Sequence, residues 1–189
     1  MYKTSFLFFV VAAPLLAQPV GFGIKAGVPL NDALSLKPTS TLQYLQDTHR
    51  YTVGPFVELR LPAHLTIEID AMYRSYEYRR IVPTLSSQTA NSWEFPILGK
   101  YKLLGGTIQP YIEGGVAFSR LTDIPDVIEL NHRNNYGVVL GGGVEIHLGI
   151  VRITPEIRYN GWTLRNFTTP LGQLQSNRSQ AAVLVGFGS

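Results

Sequence analysis

The sequence predicts an all-β fold: an eight-stranded antiparallel up-and-down transmembrane β-barrel, preceded by a cleaved signal peptide. Three observations carry that prediction. From Val20 onward, apolar residues recur at every second position in eight successive segments. The connections between those segments alternate between short and long. The polar face of the same segments carries acids and bases in near balance, as a lumen too narrow for bulk water requires.

Size and composition agree. A chain of 189 residues accommodates one domain. A hydrophobic share of 45% with a mean hydropathy of +0.08 argues against a helical membrane bundle. It suits a barrel, whose apolar residues alternate with polar ones. The formal charge of +3, Lys3 included, is too small to imply nucleic acid as a partner. Cysteine is absent, so the fold uses neither disulfides nor thiolate metal sites.

Taken in order, the first element is the signal segment, residues 1–17. Lys3 supplies the positive n-region, Phe6 to Ala13 the apolar h-region, and Pro14 a break before Leu15-Leu16-Ala17, with cleavage expected after Ala17. The apolar run of about 11 residues falls short of the roughly 20 that a spanning helix needs. The barrel domain then covers residues 18–189.

In the first strand Phe22, Ile24, Ala26 and Val28 alternate with glycine or lysine. In the second, Tyr51, Val53, Val57 and Leu59 alternate with Thr52, Glu58 and Arg60, and in the third Leu65, Ile67, Ile69, Ala71 and Tyr73 alternate with Thr66, Glu68, Asp70 and Arg74. The fourth sets Trp93, Phe95, Ile97, Tyr101 and Leu103 against Glu94, Lys100 and Lys102. Near Thr107 begins a fifth, with Ile108, Ile112, Val116 and Phe118 opposed to Gln109, Tyr111, Glu113 and Ser119. The sixth opposes Tyr136, Val138, Leu140, Val144 and Ile146 to Glu145 and His147. The seventh opposes Ile153, Ile157 and Tyr159 to Arg152, Thr154, Glu156 and Arg158. The last strand presents Ala181, Val183, Val185 and Phe187 on one face.

Short turns are expected at Pro62-Ala63-His64, Gly105-Gly106 and Gly149-Ile150, and long polar loops near residues 31–50, 79–91, 121–135 and 164–178. Short periplasmic turns and long outer loops are the habit of membrane barrels, and they place both termini in the periplasm. Strand direction then sorts the aromatic residues by height. Tyr51, Tyr73, Trp93, Phe95, Phe118, Tyr136 and Tyr159 fall toward the long loops, and Phe22, Tyr101 and Phe187 toward the short turns, giving two interfacial girdles.

The structural rival is a soluble lipocalin-like binding barrel with its apolar face inward. The polar face decides against it. Glu58, Arg60, Glu68, Asp70, Arg74, Glu113, Glu145, Arg152, Glu156 and Arg158 form a set whose near balance is needed only if these side chains pair inside a lumen. Phe56, Leu98, Val139 and Leu184 share that face and are expected to help plug it. Pro29, Pro55, Pro96, Pro110 and Pro155 each remove a ladder donor, which a bulge or a register shift near a strand end is expected to absorb. Gly114-Gly115 and Gly141-Gly142-Gly143 are expected to supply curvature and room for lumen arginines.

The segments Pro110-Tyr111-Ile112-Glu113-Gly114-Gly115, Tyr136-Gly137 through Gly143-Val144-Glu145, Pro155-Glu156-Ile157-Arg158-Tyr159 and Val183-Leu184-Val185-Gly186-Phe187 resemble the bacterial outer-membrane β-barrel domain family, the small OmpA/OmpX-like barrels. The resemblance implies residence in the outer membrane of a Gram-negative-type cell. It also implies recognition by the barrel-assembly machinery through the aromatic end of the last strand, here Phe187 followed by Gly188-Ser189.

Chemistry of other kinds finds little footing. A lipid-modifying enzyme needs a nucleophile with a histidine base at the lipid-facing rim. Of the four histidines, His49 and His132 fall in long loops, His64 in a short turn and His147 in the lumen beside Glu145, none with a serine at a strand-compatible spacing on the apolar face. Asp47 and His49 lack further ligands for a metal, and the glycine clusters lack the strand-to-helix setting of a phosphate loop. No catalytic residue, cofactor or metal is expected. Three functions remain. The first is a monomeric structural or surface-interaction barrel whose long loops contact lipopolysaccharide or other partners, with Ile124, Val127, Ile128 and Leu130 expected either as a contact patch or folded back over the barrel rim. The others are a narrow pore for small solutes and the lipid-modifying enzyme. Eight strands leave an interior that side chains fill, which favours the first.

Overall fold

A computed structural model describes residues 20–31, 34–36, 44–45, 51–80, 86–122, 134–164 and 174–189. The proposed signal segment, His49, His132 and the apolar patch at Ile124 to Leu130 lie outside the described residues. The strands in chain order are β1 (Val20–Pro29), β2 (Leu34–Leu36), β3 (Tyr44–Leu45), β4 (Thr52–Arg60), β5 (Leu65–Asp70), β6 (Met72–Arg80), β7 (Ser86–Lys102), β8 (Ile108–Thr122), β9 (Asn134–Leu148), β10 (Val151–Trp162), β11 (Leu174–Ser176) and β12 (Ser179–Gly188). β5 and β6 follow one another as a single stave interrupted at Ala71. Eight antiparallel staves result, and they close on themselves: β1 pairs with β12 on one side and β4 on the other, Ala26 lying opposite both Val185 and Val53. Closure leaves no free edge.

Alternation dictates which way each side chain points. In β10, Ile157 is 60% exposed on the outer wall and its neighbour Arg158 is buried in the lumen. The same inside-out pattern holds around the barrel, with Phe22, Val57, Ile97, Ile112, Val138 and Phe187 outward and Lys25, Glu58, Leu98, Glu113, Val139 and Leu184 inward. An apolar exterior continuous over all staves far exceeds what a soluble monomer exposes, so the soluble-barrel alternative is set aside.

The prolines behave differently from expectation. Register is the same on both sides of Ala71, Phe56 facing Asp70 and Val53 facing Tyr73 on β4, and Ile69 facing Ile97 and Met72 facing Glu94 on β7. This places Pro55 opposite Ala71 and Pro96 opposite Asp70. The Ala71 N–H donates to the Pro55 carbonyl at 2.9 Å, but neither proline has an N–H to give in return. The stave therefore breaks without a register shift. A second pair repeats the device: Pro110 faces Val144 from β8, and the register of β9 with β10 brings Pro155 opposite the same residue.

Two corrections concern the long connections. The expected loop at 79–91 is mostly ladder, since β6 pairs with β7 as far as Arg80 opposite Ser86. The expected loops at 31–50 and 164–178 contribute β2 and β11, which pair with each other in a separate two-stranded sheet. Asparagine side chains knit the roots of the loops. Asn31 donates to the Ser179 carbonyl and accepts from the Ala181 N–H, both at 2.7 Å, prolonging the β1–β12 ladder past Pro29. Asn135 likewise donates to the Leu164 carbonyl at 2.9 Å and accepts from its N–H at 3.1 Å. At the opposite end the turn between β4 and β5 holds Ala63 and His64 at φ of 60° and 64°, left-handed geometry that a Cβ disfavours.

Candidate functional site: the charged lumen

The lumen is the one place where this fold concentrates chemistry, and it is organised in tiers. At the short-turn mouth, Glu58 and Glu145 gather Arg60, Lys102, His147 and Arg152. Arg60 Nε lies 2.7 Å from Glu58, Lys102 Nζ 2.9 Å and His147 Nε2 3.0 Å from Glu145, and Arg152 reaches both carboxylates. Arg60 also donates to the main-chain oxygen of Ser189 at 2.6 Å, tying the end of the chain to this tier.

The central tier is drier. Lys25, Lys100 and Arg158 stand among Glu68, Asp70, Glu113 and Glu156, all buried. Lys25 Nζ lies 2.7 Å from Glu68 and 3.0 Å from Glu156, and Lys100 Nζ lies 2.6 Å from Glu68. Arg158 spans the cross-section, its guanidinium 2.6 Å from Asp70, 2.7 Å from Glu156, 3.1 Å from Glu113 and 3.5 Å from Glu68. Tyr111 donates its hydroxyl to Glu156 at 2.6 Å, and the two ammonium groups sit over the rings of Phe56 and Tyr111. Each strand supplies these groups because every second residue points inward. Space for them comes from glycine. A Cβ on Gly141 would meet Glu113 Oε1 at 2.6 Å, and one on Gly143 the Tyr111 hydroxyl at 2.7 Å. The room made is thus for a carboxylate and a phenol rather than for arginines. The Glu68, Glu113 and Glu156 carboxylates lie within 4.8 Å of one another, a spacing that suits a cation. Lys100 already stands beside all three, at 2.6, 3.7 and 3.6 Å from Glu68, Glu156 and Glu113, so the chain supplies its own positive charge there.

Toward the long loops, Arg74 pairs with Glu94 at 3.3 Å and donates to Gln180 at 2.6 Å. Apolar plugs complete the filling: Leu98, Ala117, Val139 and Trp162 form one cluster, and Met72, Ala182 and Leu184 another.

All ten charged residues expected in the lumen point inward, but they divide among the tiers: Glu58, Arg60, Glu145 and Arg152 at the mouth, Glu68, Asp70, Glu113, Glu156 and Arg158 in the centre, Arg74 near the loops. Arg158 pairs with Glu113, whereas Glu145 lies in another tier with Arg152. Lys25, Glu94, Lys100, Lys102 and Tyr111 join them beyond the expected set. The signal for four of these is their place on the polar face of an alternating strand. Lys25 is the harder one, a lone charge in a glycine-rich strand. With these included, the described staves turn seven carboxylates (Glu58, Glu68, Asp70, Glu94, Glu113, Glu145, Glu156) and seven cations (Lys25, Arg60, Arg74, Lys100, Lys102, Arg152, Arg158) toward the lumen.

The ten aromatic residues expected in the two girdles project outward. Near the long loops the rings of Tyr73 and Trp93 meet edge-on at 5.4 Å, and Trp93 stacks toward Phe95 at 6.3 Å. Phe95, Phe118 and Tyr136 lie side by side across three strands, with Tyr51 and Tyr159 exposed on others. Toward the short turns, Phe22, Tyr101 and Phe187 are exposed.

No protein-family model matches the chain, and no curated protein matches it in sequence. Among solved structures it is similar to Neisserial surface protein A (NspA), with a TM-score of 0.56 and 11% identity over 89% of this chain and 94% of that one. It also aligns with the N-terminal β-barrel domain of Pseudomonas aeruginosa OprF (12% identity, 89% and 97% of the two chains, TM-score 0.45) and with E. coli Outer Membrane Protein W (12%, 91% and 97%, 0.48). The chain has the eight-stranded fold of the small outer-membrane barrels.

Proposed function

We propose that this protein resides in the bacterial outer membrane as a closed-lumen, non-catalytic barrel that stiffens the envelope and presents its long-loop end to lipopolysaccharide and surface partners. One observation carries the reading: in the central tier the Arg158 guanidinium reaches carboxylates from β5, β8 and β10 across the lumen, with Lys25 and Lys100 beside it. Opening an aqueous path through that tier would separate buried ion pairs, and each orphaned charge would be strongly unfavourable. A plug therefore fits the geometry better than a pore. The two described histidines support a non-enzymatic role, His147 being held by Glu145 at the mouth and His64 in a turn. Export by the N-terminal segment and recognition of the last strand by the assembly machinery belong to the same reading.

Planar-bilayer recording tests it. The purified barrel is expected to insert without discrete conductance steps, and a stable open level would overturn the closed-lumen assignment. Orientation is tested separately in the naturally cysteine-free chain. A membrane-impermeant maleimide added to intact cells is expected to label Thr163→Cys, beside the long loops, and to spare Gly105→Cys in a short turn.

A further inference from the structure

The outer wall is apolar across the middle of the staves and turns polar toward the long loops. Among the residues of the eight staves whose side chains are described, Arg120 of β8 is the one charged group on the outer wall, and it is exposed. Its place is well defined by register. Directly across the ladders it faces Trp93 on β7 and Asn134 on β9. One row nearer the middle of the membrane lie Phe95, Phe118 and Tyr136; one row nearer the loops lie Asn91 and Thr122. Three rows, each about 7 Å apart along the strands, thus pass from purely aromatic through mixed to polar. Charge is steeply unfavourable at the bilayer midplane and nearly neutral at its interface, so this gradient sets Arg120 at the headgroup level.

Arg120 also differs from the other arginines whose side chains are described. Arg60, Arg74, Arg152, Arg158 and Arg178 each hydrogen-bond to the chain, whereas Arg120 has no hydrogen bond or ion pair with any described residue. A planar guanidinium held at that depth is matched to a phosphate, which it grips through two parallel N–H groups. Its neighbours narrow the class. Trp93, braced edge-on by Tyr73, offers an aromatic face to a sugar ring, and the exposed Asn134 amide can both donate to and accept from hydroxyls. The Phe95, Phe118 and Tyr136 row below suits acyl chains.

We propose that Arg120, Trp93 and Asn134 form a binding site for the phosphorylated sugar headgroup of an outer-leaflet glycolipid, its acyl chains lying on Phe95, Phe118 and Tyr136. This deepens the lipopolysaccharide contact above and rests on the long-loop end facing outward. The protein, purified from membranes and shown to be folded by its heat-modifiable gel mobility, is placed in phosphatidylcholine nanodiscs doped with bis-phosphorylated lipid A, dephosphorylated lipid A or phosphatidylglycerol, and retained lipid is counted by native mass spectrometry. Wild type is expected to bind the phosphorylated lipid A about tenfold more tightly than Arg120→Ala, with Arg120→Lys in between because an ammonium keeps the charge and loses the fork. Neither of the other two lipids is expected to distinguish wild type from Arg120→Ala. Equal retention of bis-phosphorylated lipid A by wild type and Arg120→Ala overturns the site. An equal Arg120 dependence for phosphatidylglycerol overturns the glycolipid assignment. Reversed maleimide labelling in cells would instead overturn the orientation while leaving the nanodisc result standing.

Discussion

The central tier of the lumen and its short-turn mouth use the same residue types to different ends. In the centre, four carboxylates outnumber three cations and every member is buried. At the mouth three cations, Arg60, Lys102 and Arg152, outnumber two carboxylates, and the Arg60 side chain is 27% exposed. Neither tier is neutral by itself. Balance is reached only over the whole lumen, with Arg74 and Glu94 cancelling near the loops. Exposure therefore decides what an ion pair is worth: the centre holds charges that water cannot reach, whereas at the mouth Arg152 with Glu58 is as dry but Arg60 and Lys102 are partly screened by water and salt.

The largest expected effect tests the centre. Arg158→Ala leaves four carboxylates facing two lysines and is expected to cost on the order of 3–5 kcal/mol, read by reversible unfolding in lipid vesicles. Adding Asp70→Ala should recover part of that loss in a double-mutant cycle. A strictly additive cycle would show that the pair is not coupled. Next in size is the other face of the same strand. Ile157→Arg places a charge against hydrocarbon and should cost about 2–4 kcal/mol in the same assay. A neutral result would turn the wall inside out and with it every tier assignment. Asn135→Ala removes two hydrogen bonds to Leu164 and is expected to lower stability by about 1–2 kcal/mol, with faster amide exchange confined to the root of that loop. Arg60→Ala is the control at the mouth, expected to cost no more than about 1 kcal/mol and to lose even that in high salt. If it costs as much as Arg158→Ala, exposure is not what separates the two. Ala63→Gly should raise stability slightly, by about 1 kcal/mol, because the left-handed backbone there disfavours a Cβ.

Much of this architecture is legible in the sequence, and for a physical reason. A membrane strand meets hydrocarbon on one side and a crowded lumen on the other, so Leu65 through Asp70 announces its two faces residue by residue. The β6–β7 hairpin beyond Ser75 carries too few apolar residues to show that contrast and reads as loop. β2 and β11 are three residues each, too short for a period, and their pairing joins segments far apart in the chain. The lumen set is legible in kind but not in grouping. Alternation says that Glu113, Glu145 and Arg158 point inward, and only the stagger of neighbouring strands says that Arg158 meets Glu113 while Glu145 meets Arg152. Lys25 shows the limit. One charge between glycines carries no pattern, yet it bridges Glu68 and Glu156. The prolines mislead in the other direction: Pro55 and Pro96 look like strand breakers, but they share one gap at Ala71, so that the disruptions coincide.

The sevenfold balance of acids and bases also bears on how such a chain can diverge. The wall asks of each outward position only that it be apolar, and many residues answer. The lumen asks something collective, that the charges of its tiers sum to nothing, and no individual position owns that requirement. A lineage can exchange Glu for Gln on one strand provided a lysine is lost from another, and substitutions should travel in compensating pairs between staves that are distant in the chain. Under such a rule little need be kept at any one site.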